Sequence, residues 1–171
     1  MQRLGLGVLV ALVVTAGVAY SGQKSDSDIL RELRDRAEIE DLMWRYTRAL
    51  DTRDPDAYAA MYTADGQFAA GATATKGHAA LRKMVADLRE RYLADEAKGV
   101  KQPAMYHMTA NERIQFLDKD HARIEAYFIT AFGAVGQATP LRVAAVGRSI
   151  DELERVNGRW LIKSRNVAPQ D

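Results

Sequence analysis

From Ile29 onward apolar side chains recur at Leu30, Leu33, Ala37, Leu42, Met43, Tyr46 and Leu50, three or four residues apart with Arg and Glu between them. The spacing predicts one long amphipathic helix ending near Asp51. Asp54-Pro55-Asp56 then supplies an N-cap acid, a proline at the first helical position and a second acid beside the positive end of the helix dipole. A short second helix follows, from Ala57 to about Tyr62. Asp65-Gly66 predicts a turn and Gln67-Phe68-Ala69-Ala70 a short strand, while Gly77 breaks the chain before a third helix with Leu81, Met84, Val85, Leu88 and Tyr92 on one face.

Beyond the polar link Ala94 to Gln102 the helical spacing gives way to long β-like runs. Four strands are predicted, Met105–Leu117, Ala122–Phe132, Leu141–Arg155 and Arg159–Val167. They are separated by Asp118-Lys119-Asp120, by the loop from Gly133 to Pro140, and by Asn157-Gly158, a dipeptide that favours a two-residue hairpin. Helices followed by an antiparallel meander make an α+β layout, and a curved sheet closed by helices leaves a central pocket.

The N-terminus is patterned differently. Met1-Gln2-Arg3 is short and basic, Leu4 to Tyr20 carries no charge, and Gly17-Val18-Ala19 presents small residues suited to signal cleavage. Residues 1–22 are expected to be an export signal, with membrane anchoring by residues 4–20 as the alternative, 23–28 a polar spacer, and 29–171 the functional domain. A periplasmic or secreted location follows from the first reading.

Composition narrows the chemistry. The 171 residues hold 24 Lys+Arg against 23 Asp+Glu, without a run of like charge, so nucleic acid is not an expected partner. The absence of cysteine removes thiol nucleophiles, disulfides and thiolate-held metals. Among the three histidines, His78 and His121 sit at a helix start and a charged turn and are expected at the surface, and no spacing suits a metal ligand set.

The order of elements, together with Arg45-Tyr46-x4-Asp51-x-x-Asp54-Pro55, Tyr62-x-x-Asp65-Gly66, His107-x3-Asn111 and Gly147-Arg148-x-x-Asp151 before Asn157-Gly158-Arg159-Trp160, resembles the SnoaL-like branch of the nuclear transport factor 2-like superfamily. The resemblance spans about Ile29 to Val167. It implies a cone-shaped barrel, with three N-terminal helices on a strongly curved, mixed, mostly antiparallel sheet. The superfamily includes scytalone dehydratase, bile-acid dehydratases, ketosteroid isomerase and polyketide cyclases, so fold alone does not define activity. In its dehydratases a tyrosine on the first helix, an aspartate five residues later and a histidine on the first long strand meet in the cone, and Tyr46, Asp51 and His107 match those positions. Ser149 stands where many relatives have an aromatic. For the second strand carboxylate of some relatives, Glu125 is the available counterpart.

Each matched residue also has a plainer reading. Tyr46 lies on the apolar stripe and suits a core tyrosine, and Asp51 suits a turn. On a continuous helix Asp51 falls 140° from Tyr46, so the two share a pocket only if the helix unwinds by Asp51. Alternation places His107, Thr109 and Asn111 on one strand face, toward either the cone or solvent, with Tyr106, Met108, Ala110, Ile114 and Phe116 on the other. Tyr58, Tyr62, Phe68, Met84, Asn111, Tyr127, Phe132 and Trp160 are candidates for holding a small hydrophobic, ring-sized ligand.

The expected activity is a cofactor-independent lyase (dehydratase) or isomerase that abstracts a proton next to a carbonyl, with Tyr46 stabilising the oxyanion, His107 the base and Asp51 its orienter. A non-catalytic ligand-binding or dimerisation module is the alternative. The outer sheet face, with residues such as Ile124, Phe128 and Val146, is expected to be covered in a homodimer.

Overall fold

Local sequence chemistry sets most element ends. In the computed structural model, which describes residues 24–133 and 140–168, helix α1 runs Asp26–Asp51 behind a Ser25 cap whose hydroxyl accepts from the Asp28 N–H at 3.2 Å. The expected export signal or anchor lies outside the described residues. Thr52 closes α1 by donating its hydroxyl to the Arg48 carbonyl at 2.8 Å. The Asp54 carboxylate then accepts from the Asp56 and Ala57 N–H groups at 3.1 and 3.0 Å and starts α2, Pro55–Ala60. Only the second half of the α1 stripe is in the core: Leu42, Met43 and Tyr46 are buried, whereas Leu30, Leu33 and Ala37 are exposed.

The remaining elements are β1 (Tyr62–Phe68), a 3₁₀ turn (Gly71–Thr73), β2 (Thr75–Lys76), α3 (His78–Ala97), β3 (Met105–Phe116), β4 (His121–Phe132), β5 (Arg142–Val156) and β6 (Arg159–Asn166). The six strands form one sheet in the order β2-β1-β6-β5-β4-β3, antiparallel except for the parallel β1–β6 pair. Asn157 and Gly158 both take positive φ, 51° and 77°, as a two-residue hairpin of this hand requires. The three helices pack on one face, and the resulting α+β cone matches the expected layout.

Asp65-Gly66 does not form a turn. The strand begins already at Tyr62 and passes through this dipeptide with an irregular pairing that jumps from Tyr62↔Ile162 to Gln67↔Ser164. A Cβ at Gly66 would stand 2.9 Å from the Ile162 carbonyl oxygen and from the Tyr62 Cβ, so glycine serves here for close approach.

A bulge overturns the predicted faces of β3. Between Ala110↔Tyr127 and Arg113↔Glu125, β3 spends three residues against two on β4, with Asn111 at φ 53°. One extra residue inverts the alternation. Met105 and His107 therefore face inward before the bulge and Ile114 after it, while Asn111 is exposed.

The outer sheet face also differs from expectation. Ile124 is fully buried in the core and Phe128 lines the inner cavity, because inward positions on β4 are Ala122, Ile124, Ala126, Phe128 and Thr130. The outward apolar residues are Met108, Ile129 and Val146, aligned across three strands, and beside them Tyr106, Tyr127 and Val143.

Candidate active site

Where the helices leave the sheet uncovered, a cavity of about 380 Å³ opens between α1, α2 and α3 and the inner faces of β3, β4 and β6. This volume falls within the roughly 300–1,000 Å³ usual for small-molecule sites. Leu50, Phe68, Met84, Val85, Leu88, Met105 and Phe128 make its wall mostly apolar, and the polar groups reaching it include Tyr46, Tyr58, His107, Thr109, Thr130, Arg91 and Arg165.

Asp51 and His107, 56 positions apart, are joined twice. One oxygen of the Asp51 carboxylate, Oδ1, accepts from the His107 backbone N–H at 3.0 Å and from ring Nδ1 at 2.9 Å. A carboxylate oxygen only accepts, so Nδ1 carries a proton, and the neutral ring in this tautomer has its lone pair at Nε2. Helix α1 does not unwind to achieve this. Asp51 is its last residue and remains outside the cavity wall, meeting β3 from the side, and the imidazole connects it to the cavity. The Asp51 side chain is 8% exposed and that of His107 21%, so the pair is shielded yet the ring stays reachable.

Tyr46 stands on the same wall, buried to 3%. Burial raises its phenol above the ordinary value of 10, and the Arg165 guanidinium, 4.5 Å from the ring centroid, pulls in the opposite direction. The hydroxyl is thus protonated at neutral pH and available as a donor. Its ring packs against Tyr58 and Tyr62, with centroids 5.4 and 6.4 Å away, and the Tyr58 and Tyr62 hydroxyls bond to each other at 2.9 Å.

Beneath the tyrosines lies an ion pair that sequence reasoning missed. Arg165 donates through Nη1 to Asp151 Oδ2, with side-chain exposures of 3% and 0%. Burial pushes the Asp151 carboxyl up to about 6, and Arg165 limits the rise. Burial likewise opposes the charge on Arg165, but the groups facing it, Tyr46 and Asp151 first, outweigh that and keep it protonated. Arg165 points inward only because β6 spends two residues, Ser164 to Ile162, against one step on β5, Glu152 to Leu153. Simple alternation from the buried Trp160 and Ile162 would have turned it outward. The one legible signal is on β5, where Ser149, Asp151 and Leu153 share the inner face and are all buried.

Of the other expected ligand contacts, Tyr58, Phe68 and Met84 line the cavity. Tyr62 sits behind Tyr58, fully buried and off the wall. Asn111 is exposed in the bulge, and Tyr127 faces outward, 53% exposed. Phe132 stacks beneath Arg142, and Trp160 packs between Phe116 and Arg155 at the core's far end. Glu125 is turned outward to Arg113 and Arg123, so the buried strand carboxylate is Asp151 instead. Ser149 is buried off the cavity wall. His121 lies exposed against Asp118, and His78 bonds the Tyr62 carbonyl oxygen at 2.9 Å, apart from the cavity.

The SnoaL-like domain model matches residues 31–166, nearly all of the cone. The chain belongs to the SnoaL-like domain family. Its solved structural neighbours share the fold at low identity. An NTF2-like protein with a cystatin-like fold from Novosphingobium aromaticivorans is 23% identical, with a TM-score of 0.66 over 85% of this chain and 90% of its own. A protein of the same organism, provisionally named a scytalone dehydratase, is 21% identical with a TM-score of 0.64, covering 84% of this chain and 89% of its own. A Catenulispora acidiphila protein solved in complex with S-DNPA is 24% identical, TM-score 0.62, over 78% of this chain and 91% of its own. Among curated proteins none matches the chain.

Proposed function

We propose that this SnoaL-like protein is a cofactor-independent dehydratase or isomerase that removes a proton next to a carbonyl on a small hydrophobic hydroxy-carbonyl compound. The observation carrying this reading is the Asp51–His107 pair, whose imidazole shares the wall of one apolar cavity with the buried Tyr46. A module that merely binds gains nothing from a buried carboxylate fixing one histidine tautomer.

The steps follow from the groups present. His107 Nε2 takes the α-proton, and Asp51 stabilises the imidazolium that forms. Negative charge moves onto the substrate's carbonyl oxygen, where Tyr46 donates a hydrogen bond and Arg165 behind its ring favours the build-up of charge. The imidazolium then returns the proton, to a β-hydroxyl leaving as water in a dehydration or to another carbon in an isomerisation. The largely apolar wall lowers the local dielectric and strengthens each of these interactions.

Tyr46→Phe is expected to lower kcat by roughly 10²–10³ with little change in KM, since the lost bond strengthens mainly in the transition state. Steady-state kinetics on a substrate found by screening hydroxy-ketones and hydroxy-steroids will measure this. Ligand binding without turnover across that screen would return the protein to the binding-module class.

The small hydrophobic partner is supported by the cavity, and self-association by the outer sheet face. Met108, Ile129 and Val146 form an exposed apolar row there, flanked by Tyr106, Tyr127 and Val143, and a two-fold dimer through β3–β5 would cover it. Sedimentation at micromolar concentration is expected to show a dimer that Val146→Asp weakens at least tenfold; a monomeric wild type contradicts the assignment.

A further inference from the structure

The cavity carries a charge that the proposed chemistry does not use. Helix α3 lines it with Met84, Val85 and Leu88, and one turn further along the same face Arg91 comes to its rim. Among the described residues no acidic side chain lines this cavity. Its other basic groups are already matched, Arg165 by Asp151 and His107 by Asp51. Arg91 is not. It makes no hydrogen bond or ion pair among the described residues, although Asp87 and Asp95 lie one turn to either side. Asp87 is held by Lys83 at 2.6 Å, and Asp95 by Gln102 at 3.3 Å and Lys98 at 3.8 Å.

A neutral apolar ligand would leave this guanidinium without a role and would be served as well by an aliphatic residue at the rim. An anionic group gives it a planar, bidentate partner. At the rim Arg91 is itself exposed, so it gives up less hydration on pairing than a buried arginine would, while the apolar wall behind it lowers the local dielectric. We propose that the ligand of this cavity is an apolar carboxylate, a hydroxy-ketone with a remote carboxyl group, and that Arg91 binds that carboxylate. The proposal rests on the reading of the cavity as the substrate site, with the reacting carbonyl at Tyr46.

Calorimetric titration of the full chain with naphthaleneacetate and its neutral isostere naphthaleneacetamide tests it. The wild type should bind the acid roughly 10- to 100-fold more tightly than the amide, the range for a hydrogen bond to a charged group. Arg91→Gln should bring the two affinities within about twofold by weakening only the acid, and Arg91→Lys should keep part of the preference. Unchanged amide affinity in Arg91→Gln serves as the control that the cavity is intact. Equal affinities in the wild type, no measurable binding of the acid, or a preference that survives Arg91→Gln would overturn the proposal. Its fate is separable from that of the lyase reading. A carboxylate preference lost in Arg91→Gln, with no turnover of any hydroxy-ketone, would refute the chemistry and leave Arg91 as the anion site. Turnover of neutral hydroxy-ketones with no such preference would do the reverse.

Discussion

Replacing His107 by alanine is expected to lower kcat/KM by roughly 10²–10⁴, the usual contribution of a positioned acid–base group, with the fold unchanged. The ring is partly exposed at the cavity wall, so its loss opens space in an existing cavity and leaves the core intact. Asp51→Asn should cost less. Both hydrogen bonds from His107 end on Asp51 Oδ1, whereas among the described residues Oδ2 meets only the distant Arg48 at 3.9 Å. An asparagine with its carbonyl oxygen at the Oδ1 position keeps both bonds and the tautomer, and loses the negative charge that stabilises the imidazolium. The double variant should be little worse than His107→Ala alone, because an orienting group has no effect once the base is gone. Full activity in His107→Ala, or additive losses in the double variant, would refute the assignment.

Asp151→Ala is expected to destabilise the protein by about 3–5 kcal/mol, the typical result of leaving one member of a buried ion pair alone. Nothing else among the described residues forms a salt bridge with Arg165, which is 3% exposed and lies against the Tyr46 ring, so its charge would remain desolvated and unbalanced. Against a usual domain stability of about 5–15 kcal/mol, that loss brings the protein close to unfolding. Urea denaturation followed by circular dichroism gives the value. Replacing both partners, as in Asp151→Leu with Arg165→Met, should recover most of the stability because no charge is then stranded. The same double variant should still lose activity, since the positive field behind Tyr46 is absent. A change below about 1 kcal/mol in Asp151→Ala would mean that Arg165 finds another anion or reaches water.

The fold's outline was legible because its signals are local. Ser25 and Asp54 each bond amides two or three residues on, Pro55 fits a helix start, and Asn157-Gly158 supplies the positive φ values of its hairpin within two residues. The helix periodicity at Leu42, Met43 and Tyr46 likewise reports one buried face. Tyr46, Asp51 and His107 were legible as candidates through the resemblance to the family's dehydratases, whose three groups stand at the matching points of those elements.

What the sequence by itself determined was thus the succession of elements and the residue types able to do chemistry. Which of them meet was decided only in the tertiary structure. One extra residue in β3 and one in β6 invert the alternation, moving Asn111 out of the cone and Arg165 into it, and an irregularity of sheet pairing leaves no periodic trace within a single strand. The Asp51–His107 and Asp151–Arg165 contacts join separate elements, and burial is the largest of the causes that raise Tyr46 and Asp151. Pairing across the sheet and exclusion of water are properties of the assembled cone, so neither exists until distant segments have packed together.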